Sequence, residues 1–253
     1  MQIDLNCDVG EWSGIGIPIT DQALLTCVTS ANIACGGHAG DELTMQATVR
    51  FAVDHGVAIG AHPGFADRTG FGRREISVPP HEIEDLVTSQ VELLRDVARN
   101  EGACVTHVKP HGALYNLSAR DASVADAVAR SIVRVDPGLT LFGLSGSKLL
   151  AAGRSIGLNV ASEVFADRAY AADGSLVSRR EPSAVIDDVS IVVQRAVRLV
   201  VDGVVFAESG EMLNLVADTM CVHGDTNGAP ELVRQLRVGF KKAGVAVRSM
   251  SGP

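Results

Sequence analysis

Short apolar segments alternate with longer amphipathic ones along the whole chain. The short segments are rich in β-branched and apolar residues and predict strands at 3–7, 32–34, 57–61, 105–108, 139–143, 159–162 and 219–222. The longer segments repeat apolar residues at three- and four-residue steps and predict helices at 43–55, 82–100, 121–135, 148–156, 183–201 and 230–243. This alternation is typical of one α/β domain with a parallel sheet, spanning residues 1–253.

The helix predicted at 82–100 has the clearest pattern, with Val87, Val91 and Leu94 on one face. Pro79 and Pro80 suit its first turn, and Gly102 is placed to end it. Seven strands in a chain of 253 residues favour a closed or nearly closed β/α barrel. A doubly wound open sheet is the competing architecture.

The strands carry polar residues at alternate positions, and this parity points to a site. In the first strand Asp4, Asn6 and Asp8 alternate with apolar neighbours, so that the two sets face opposite sides of the sheet. Alternate positions also share one face in three other strands. These positions are 60 and 62, then 107, 109 and 111, and finally 219, 221, 223 and 225. A parallel sheet covered on both faces is normally almost continuously apolar. We therefore expect one face to gather ionisable groups near the carboxyl ends of the strands, where α/β barrels hold their active sites.

Composition and charge restrict the class of protein. Hydrophobic residues make up 46% of the chain, which excludes disorder, and 30 acidic against 22 basic residues give a net charge of −8. That balance argues against nucleic acid or an anionic membrane as a partner. No apolar run approaches the roughly 20 residues of a membrane span, and no secretory signal is visible at the N-terminus. The five scattered cysteines fit reduced thiols, so we expect a cytoplasmic protein.

The residues at the strand ends allow more than one chemistry. Asp8, His62 and His111 form a possible set of ligands for a divalent metal ion such as zinc. Alternatively, Asp8 or Asp225 acts as a general base beside a histidine.

The basic residues allow a further choice. Lys109, flanked on its own face by His107 and His111, is a candidate for a lowered pKa or for a contact with a carboxylate or phosphate; the alternative is a buried ion pair with a carboxylate such as Glu163. Arg168 and Arg73 could clamp a substrate carboxylate.

Common nucleotide and nucleophile motifs are missing from the sequence. The G-x-x-x-x-G-K-[ST] pattern of phosphate-binding loops does not occur, and no G-x-G-x-x-G follows a predicted strand. The G-x-S-x-G motif of serine hydrolases is also absent. The chain itself therefore offers no recognisable binding loop for ATP or a dinucleotide.

Six motifs, taken in order, resemble those of the LamB/YcsF family over nearly the whole chain. They are DLNCDVGE (4–11), SANIACGGHAGD (30–41), GAHPGF (60–65), VKPHGALYN (108–116), EVFADR (163–168) and CVHGD (221–225). The resemblance implies a seven-stranded β/α barrel related to glycoside hydrolases and polysaccharide deacetylases. It also implies ATP-dependent opening of 5-oxo-L-proline to L-glutamate, carried out with partner subunits B and C.

The resemblance also implies which residues form the site. The catalytic group carried over to this chain is Asp8, Glu11, His62, Lys109, His111 and Asp225. The substrate-binding group is Asn6, His38, Asp41, Glu163, Asp167, Arg168 and His223. In the simplest scheme the partner subunits bind ATP and phosphorylate the lactam oxygen, and this barrel hydrolyses the activated ring.

Two other functions remain compatible with the sequence. One is a metal-dependent deacetylase or amidohydrolase that acts alone on a small N-acyl or carbohydrate substrate. The other is a non-catalytic scaffold subunit, although that role leaves many inward-facing ionisable groups without a purpose.

Overall fold

Seven parallel strands close into a barrel that is surrounded by helices. The structure, a computed structural model, describes residues 1–14, 16–222 and 228–250. The strands in these ranges are β1 (Gln2–Val9), β2 (Ser30–Ala34), β3 (Ala58–His62), β4 (Val105–Val108), β5 (Thr140–Leu144), β6 (Asn159–Phe165), β7 (Val204–Phe206), β8 (Met212–Asn214), β9 (Thr219–Cys221) and β10 (Ala246–Val247). Strands β1 to β6 follow one another around the barrel, and β9 closes it by pairing with both β6 and β1.

The helices lie outside this barrel. They are α1 (Ile19–Leu25), α2 (Glu42–Asp54), α3 (Pro80–Asn100), α4 (Gly112–Arg120), α5 (Ala122–Val135), α6 (Lys148–Ser155), α7 (Val189–Asp202) and α8 (Ala229–Lys242). Their apolar faces pack on the outward residues of the strands, such as Ile3 and Leu5, which are fully buried. None of the described helices combines the length and the apolar character that crossing a membrane requires.

The closed seven-stranded barrel confirms the predicted architecture, and the open sheet is excluded. Each predicted barrel strand matches an observed strand to within about three residues. The predicted helix at 183–201 begins later, at Val189, because the Asp188 side chain accepts hydrogen bonds from the backbone N–H groups of Ser190 and Ile191. The hydrophobic pattern did not predict α1, α4, β10 or the antiparallel β7–β8 pair, all of which are short.

The barrel interior is polar near its amino-terminal end. Asp4 on β1 accepts hydrogen bonds from the hydroxyl groups of Thr29, Ser30 and Thr219, at 2.6, 2.7 and 2.5 Å. Burial raises the pKa of Asp4, although these three hydroxyl groups act in the opposite direction. Through these hydrogen bonds, the carboxyl group of Asp4 connects β1 to both of its neighbours, β2 and β9.

The next layer of the interior is built from amides and a histidine. Asn6 donates to Thr219 Oγ1 at 2.7 Å and accepts from the amide of Asn32 at 2.8 Å. His107 Nε2 lies 2.9 Å from Asn32 Oδ1, and its ring stacks on Phe142 with the ring centroids 4.2 Å apart. Burial, with the nearby positive charge of Lys109, lowers the pKa of His107 to about 3, so this histidine is neutral.

Gly60 on β3 makes room for the His107 ring. A Cβ atom built on Gly60 would lie well inside van der Waals contact of His107 Nε2. Any side chain at position 60 therefore has to displace a buried ring that is held by a hydrogen bond and by stacking.

We expect Gly60→Ala to lower the free energy of unfolding by about 1–3 kcal/mol, because the added methyl group overpacks the barrel interior. Chemical denaturation monitored by circular dichroism measures the change. Gly138→Ala is the matched control, because Gly138 is exposed and its added Cβ would meet only the end of the Asp136 side chain, at 3.1 Å. Equal stabilities of the two variants would contradict this account of the interior.

Candidate functional site

The carboxyl ends of β1, β3, β4 and β6 bring a cluster of ionisable side chains together inside the barrel. Asp8, His62, Lys109 and Glu163 come from these four strands or the residue that follows, and contacts of 3.3 Å or less connect them. The parity of the sequence therefore places these side chains correctly, with Asp4, Asn6 and Asp8 facing inward and Ile3, Leu5 and Cys7 facing the helices.

Lys109 is the buried cation of the cluster. Its Nζ atom lies 2.9 Å from Asp8 Oδ1 and 2.8 Å from Glu163 Oε1. Two weaker contacts reach Cys221 Sγ at 3.1 Å and Asn6 Oδ1 at 3.3 Å. Burial favours the neutral amine, but Asp8, Cys221 and Glu163 outweigh it and raise the pKa of Lys109 well above its usual value. Lys109 is therefore an ammonium ion whose three N–H donors face partners in this chain.

Asp8 connects Lys109 with the histidines. Its Oδ1 atom accepts from Lys109 and from the Asn32 amide at 2.8 Å, and its Oδ2 atom lies 3.3 Å from His62 Nε2. The Asp8 side chain is 18% exposed, whereas Lys109 and His62 are almost fully buried. Asp8 therefore presents a fixed carboxylate to the space above the barrel.

Backbone carbonyl groups fix the tautomers of two histidines. His62 Nδ1 lies 2.7 Å from the carbonyl oxygen of Lys109, and His111 Nε2 lies 2.9 Å from that of Phe71. These nitrogens carry the protons, because a carbonyl oxygen only accepts. The remaining nitrogens, His62 Nε2 and His111 Nδ1, face each other at 3.0 Å.

The electrostatics of this pair are unequal. Burial opposes the protonation of His62, but the Asp8 carboxylate outweighs burial, and the pKa of His62 is raised. Burial and the neighbouring His62 lower the pKa of His111 to about 3. The gap between the two nitrogens therefore needs a positive charge, which can be a proton on His62 Nε2 or a bound cation.

Glu11 and His38 lie beside this pair, on the loops that follow β1 and β2. Glu11 Oε1 is 3.1 Å from His38 Nε2 and 3.3 Å from His111 Nδ1. The His38 ring stacks on His111 with ring centroids 3.6 Å apart, and burial lowers the pKa of His38 to about 3. Glu11, His38, His62 and His111 each offer one atom to a group whose members all lie within 4.8 Å of one another, a set that could hold a metal ion.

A cavity of about 320 Å³ opens above the cluster. Asp8, Glu11, His62 and His111 form its ionisable floor, and Arg73 and Arg179 are among its other lining residues. A larger cavity of about 630 Å³ adjoins it and shares both arginines. The two cavities bring carboxylates and guanidinium groups to one small-molecule-sized space at the carboxyl end of the barrel.

Arg168, which the sequence predicts as a clamp for a substrate carboxylate, lines the cavity and has part of its guanidinium group committed to the backbone. Its guanidinium group donates to the carbonyl oxygens of Val177 and Ala184, at 2.6 and 3.1 Å. The side chain is 5% exposed and holds the loop after β6 in place over the cavity. We therefore regard Arg168 as a residue that shapes the wall of the site.

The remaining predicted site residues divide into three groups. Asn6 and Glu163 lie beneath the cavity, in contact with each other and with Lys109. Asp41 lies at the start of α2, where its carboxylate caps the helix by accepting from the N–H and hydroxyl groups of Thr44, and Asp167 is buried at the end of β6. Neither Asp41 nor Asp167 lines either cavity. His223 and Asp225 lie outside the described residues.

Two residues of the site were not selected from the sequence. Tyr115 lines the cavity, and among the described residues neither its hydroxyl group nor Glu163 Oε2 has a hydrogen-bond partner of normal geometry. Burial and the nearby Glu163 raise the pKa of Tyr115 well above its usual value, so its hydroxyl group remains protonated. Arg179 belongs to the loop after β6. The motif 108–116 contains Tyr115 and could have identified it, whereas Arg179 lies in a segment without any recognisable pattern.

Comparisons with known proteins agree on one family. The LamB/YcsF family model matches residues 3–253. The chain is 51% identical over 249 residues to the A subunit of 5-oxoprolinase from Chloroflexus aggregans, covering 98% of this chain and 99% of the relative. It is 47% identical over 248 residues to the protein of the same name from Geobacillus thermodenitrificans, covering 98% and 96%. The crystal structure of a lactam utilization protein from Thermus thermophilus matches with a TM-score of 0.92 and 42% identity, covering 99% of this chain and all of that one.

We expect Lys109→Met to lower the free energy of unfolding by about 3–5 kcal/mol, because it leaves the carboxylates of Asp8 and Glu163 without their buried counter-charge. Urea denaturation measures the loss. Lys241→Met, on the exposed last turn of α8, is the matched control and should change stability by less than about 0.5 kcal/mol. A loss of under about 1 kcal/mol for Lys109→Met would contradict the importance given to this ion pair.

Proposed function

The chain belongs to the LamB/YcsF family, and from this premise we propose that it is the A subunit of an ATP-dependent 5-oxoprolinase, which opens 5-oxo-L-proline to L-glutamate together with partner subunits B and C. The names of relatives that are about half identical over nearly the full length support this assignment. The name of the similar T. thermophilus structure, a lactam utilization protein, also supports a cyclic amide as the substrate.

The observation that carries the proposal is the position of Asp8 at the floor of the cavity. Its carboxyl group lies 2.9 Å from the Lys109 ammonium group, accepts a hydrogen bond from Asn32, and is still partly open to the cavity. A carboxylate held in this way can accept a proton from a water molecule that attacks a bound carbonyl carbon. Asp8 is accordingly the general base of the proposed reaction.

The charges around the cavity give the substrate one preferred orientation. Arg73 and Arg179 lie in the wall, and a guanidinium group matches the carboxylate of 5-oxoproline. The Asp8 carboxylate on the floor repels that of the substrate and leaves the amide side of the ring facing the base.

An unactivated five-membered lactam opens slowly, and ATP supplies the activation in this proposal. Phosphorylation of the lactam oxygen by the partner subunits makes the ring carbon electrophilic. A water oxygen then bonds to that carbon, Asp8 takes the water proton, and the C–N bond breaks as the proton passes to the nitrogen. The resulting acyl phosphate reacts with a second water molecule to give glutamate and inorganic phosphate.

The adjoining cavity suits the entry of such an anionic intermediate. Arg73, Arg120, Arg168, Arg179 and Arg180 line it, against only Glu75 and Asp173 as acidic residues. Positive charge along an open path attracts a phosphorylated substrate and raises its local concentration. We therefore propose that the activated ring enters the barrel through this adjoining cavity.

The test is the formation of labelled glutamate from isotope-labelled 5-oxoproline by the complex reconstituted with its partner subunits and ATP. We expect Asp8→Asn to reduce the rate at least about 100-fold, because the general base is lost. Asp188→Asn is the matched control, since the exposed Asp188 caps α7, lines neither cavity, and asparagine caps a helix equally well. Its rate should equal that of the wild type.

Other results would favour the other functions. Chelator-sensitive turnover without ATP or partner subunits would indicate a metal-dependent amidohydrolase that acts alone. A fully active complex carrying Asp8→Asn would indicate a scaffold, with the chemistry located in another subunit. Failure of the wild-type complex to form glutamate would refute the proposed substrate.

A further inference from the structure

Two histidine nitrogens, each on the side of its ring opposite the N–H group held by the backbone, face each other at the floor of the cavity. His62 Nε2 and His111 Nδ1 are 3.0 Å apart, and each ring has its N–H group committed to a backbone carbonyl oxygen on its other side. Two lone pairs at this distance repel each other unless a proton or a cation lies between them. The side chains around the two nitrogens decide whether a proton or a cation fits the gap better.

The surroundings contain two further ligand atoms. Glu11 Oε1 is 3.3 Å from His111 Nδ1, 4.0 Å from His62 Nε2 and 3.1 Å from His38 Nε2. Ligand atoms of a tetrahedral zinc ion, bound at about 2.0–2.1 Å, are separated by about 3.3 Å. A single proton between His62 and His111 would leave Glu11 and His38 gathered there without a common partner. One cation would give all four side chains a common partner, since their ligand atoms all lie within 4.8 Å of one another.

The backbone around these side chains is arranged to orient the rings. In many metal sites a coordinating histidine donates its other N–H to a carbonyl oxygen, which fixes the ring, and both His62 and His111 do so. The acceptor for His111 is the carbonyl group of Phe71, which has φ of 53°, a left-handed conformation that is rare outside glycine. Strained backbone of this kind persists where the surrounding structure requires it.

Glycines allow the rings to pack together. A Cβ atom on Gly72 would lie 2.7 Å from His38 Cβ and 2.9 Å from His111 Cδ2, and one on Gly64 would lie 2.8 Å from His38 Nδ1. Three imidazole nitrogens with one carboxylate favour a borderline transition metal over Mg²⁺ or Ca²⁺, which prefer oxygen ligands.

We propose that Glu11, His38, His62 and His111 bind one divalent transition-metal ion of the Zn²⁺ class. This set replaces the Asp8, His62 and His111 set considered from the sequence, because Glu11, and not Asp8, belongs to the group of mutually close ligand atoms. An ion held there joins the ends of β3 and β4 to the loops after β1 and β2. It also places positive charge beside Asp8, which lies 3.3 Å from His62. The site is independent of the substrate proposed above.

The first test measures binding to the purified chain, without activity. We expect chelator-stripped protein to bind about one Zn²⁺ per chain by titration calorimetry and elemental analysis, and its thermal midpoint to rise. Co²⁺ should bind with the intense visible absorption of a four-coordinate complex. Absence of stoichiometric binding would overturn the proposal. A Co²⁺ spectrum typical of a six-coordinate ion with oxygen ligands would overturn it as well.

The second test separates the two possible ligand sets. Glu11→Gln and His111→Ala should each weaken Zn²⁺ binding at least about 100-fold. Asp8→Asn should retain it within about 10-fold, and His81→Ala, an exposed histidine on α3, should leave it unchanged. Far-UV circular dichroism checks that each variant is folded. Loss of binding in Asp8→Asn together with full binding in Glu11→Gln would overturn the proposed ligand set.

These outcomes are distinct from those that test the proposed function. A chain that binds Zn²⁺ through these residues but releases no glutamate in the complete complex would refute the proposed reaction and leave the metal site intact. A complex that hydrolyses 5-oxoproline in the presence of chelator, with no ion bound to the wild-type chain, would refute the metal site alone.

Discussion

The buried ammonium group of Lys109 is the constraint on which the rest of the site depends. A charge inside a closed barrel is stable only when opposite charges and hydrogen-bond acceptors surround it. Asp8 on β1 and Glu163 on β6, two strands that both pair with β9, supply those charges within 2.9 Å. Because Lys109 fixes Asp8 in this way, it also determines where the carboxylate faces the cavity and why His62 is bound on its other side.

The interior of the barrel changes character from one end to the other. Hydroxyl groups surround Asp4 near the amino-terminal end, and amides with His107 fill the middle. At the carboxyl end the side chains become ionisable and partly open to solvent. The hydrogen bonds in the two lower layers, around Asp4 and around His107, hold the ionisable upper layer rigidly. A preorganised site requires such rigidity.

Much of this arrangement could be predicted from the sequence because strand geometry is simple. The two-residue period of a strand placed Asp4, Asn6 and Asp8 inside without any knowledge of their partners. The grouping of Glu11 with His38 could not be derived in the same way, since both lie on loops whose course no periodicity describes. The sequence also could not show that Asp41 caps a helix or that the donors of Arg168 face carbonyl groups. Such roles depend on which backbone atoms happen to lie nearby in three dimensions.

The hydrogen bonds of Thr219 have a consequence for how the chain acquires its structure. Thr219 binds Asp4 and Asn6, which precede it by 215 and 213 residues. Until β9 is in place, Asp4 and Asn6 lack their hydrogen bonds to Thr219, and the barrel has two open edges. Contacts of such long sequence separation form late and slow the folding of a domain. During synthesis the barrel can therefore close only after the 215 residues that separate Asp4 from Thr219 have been made.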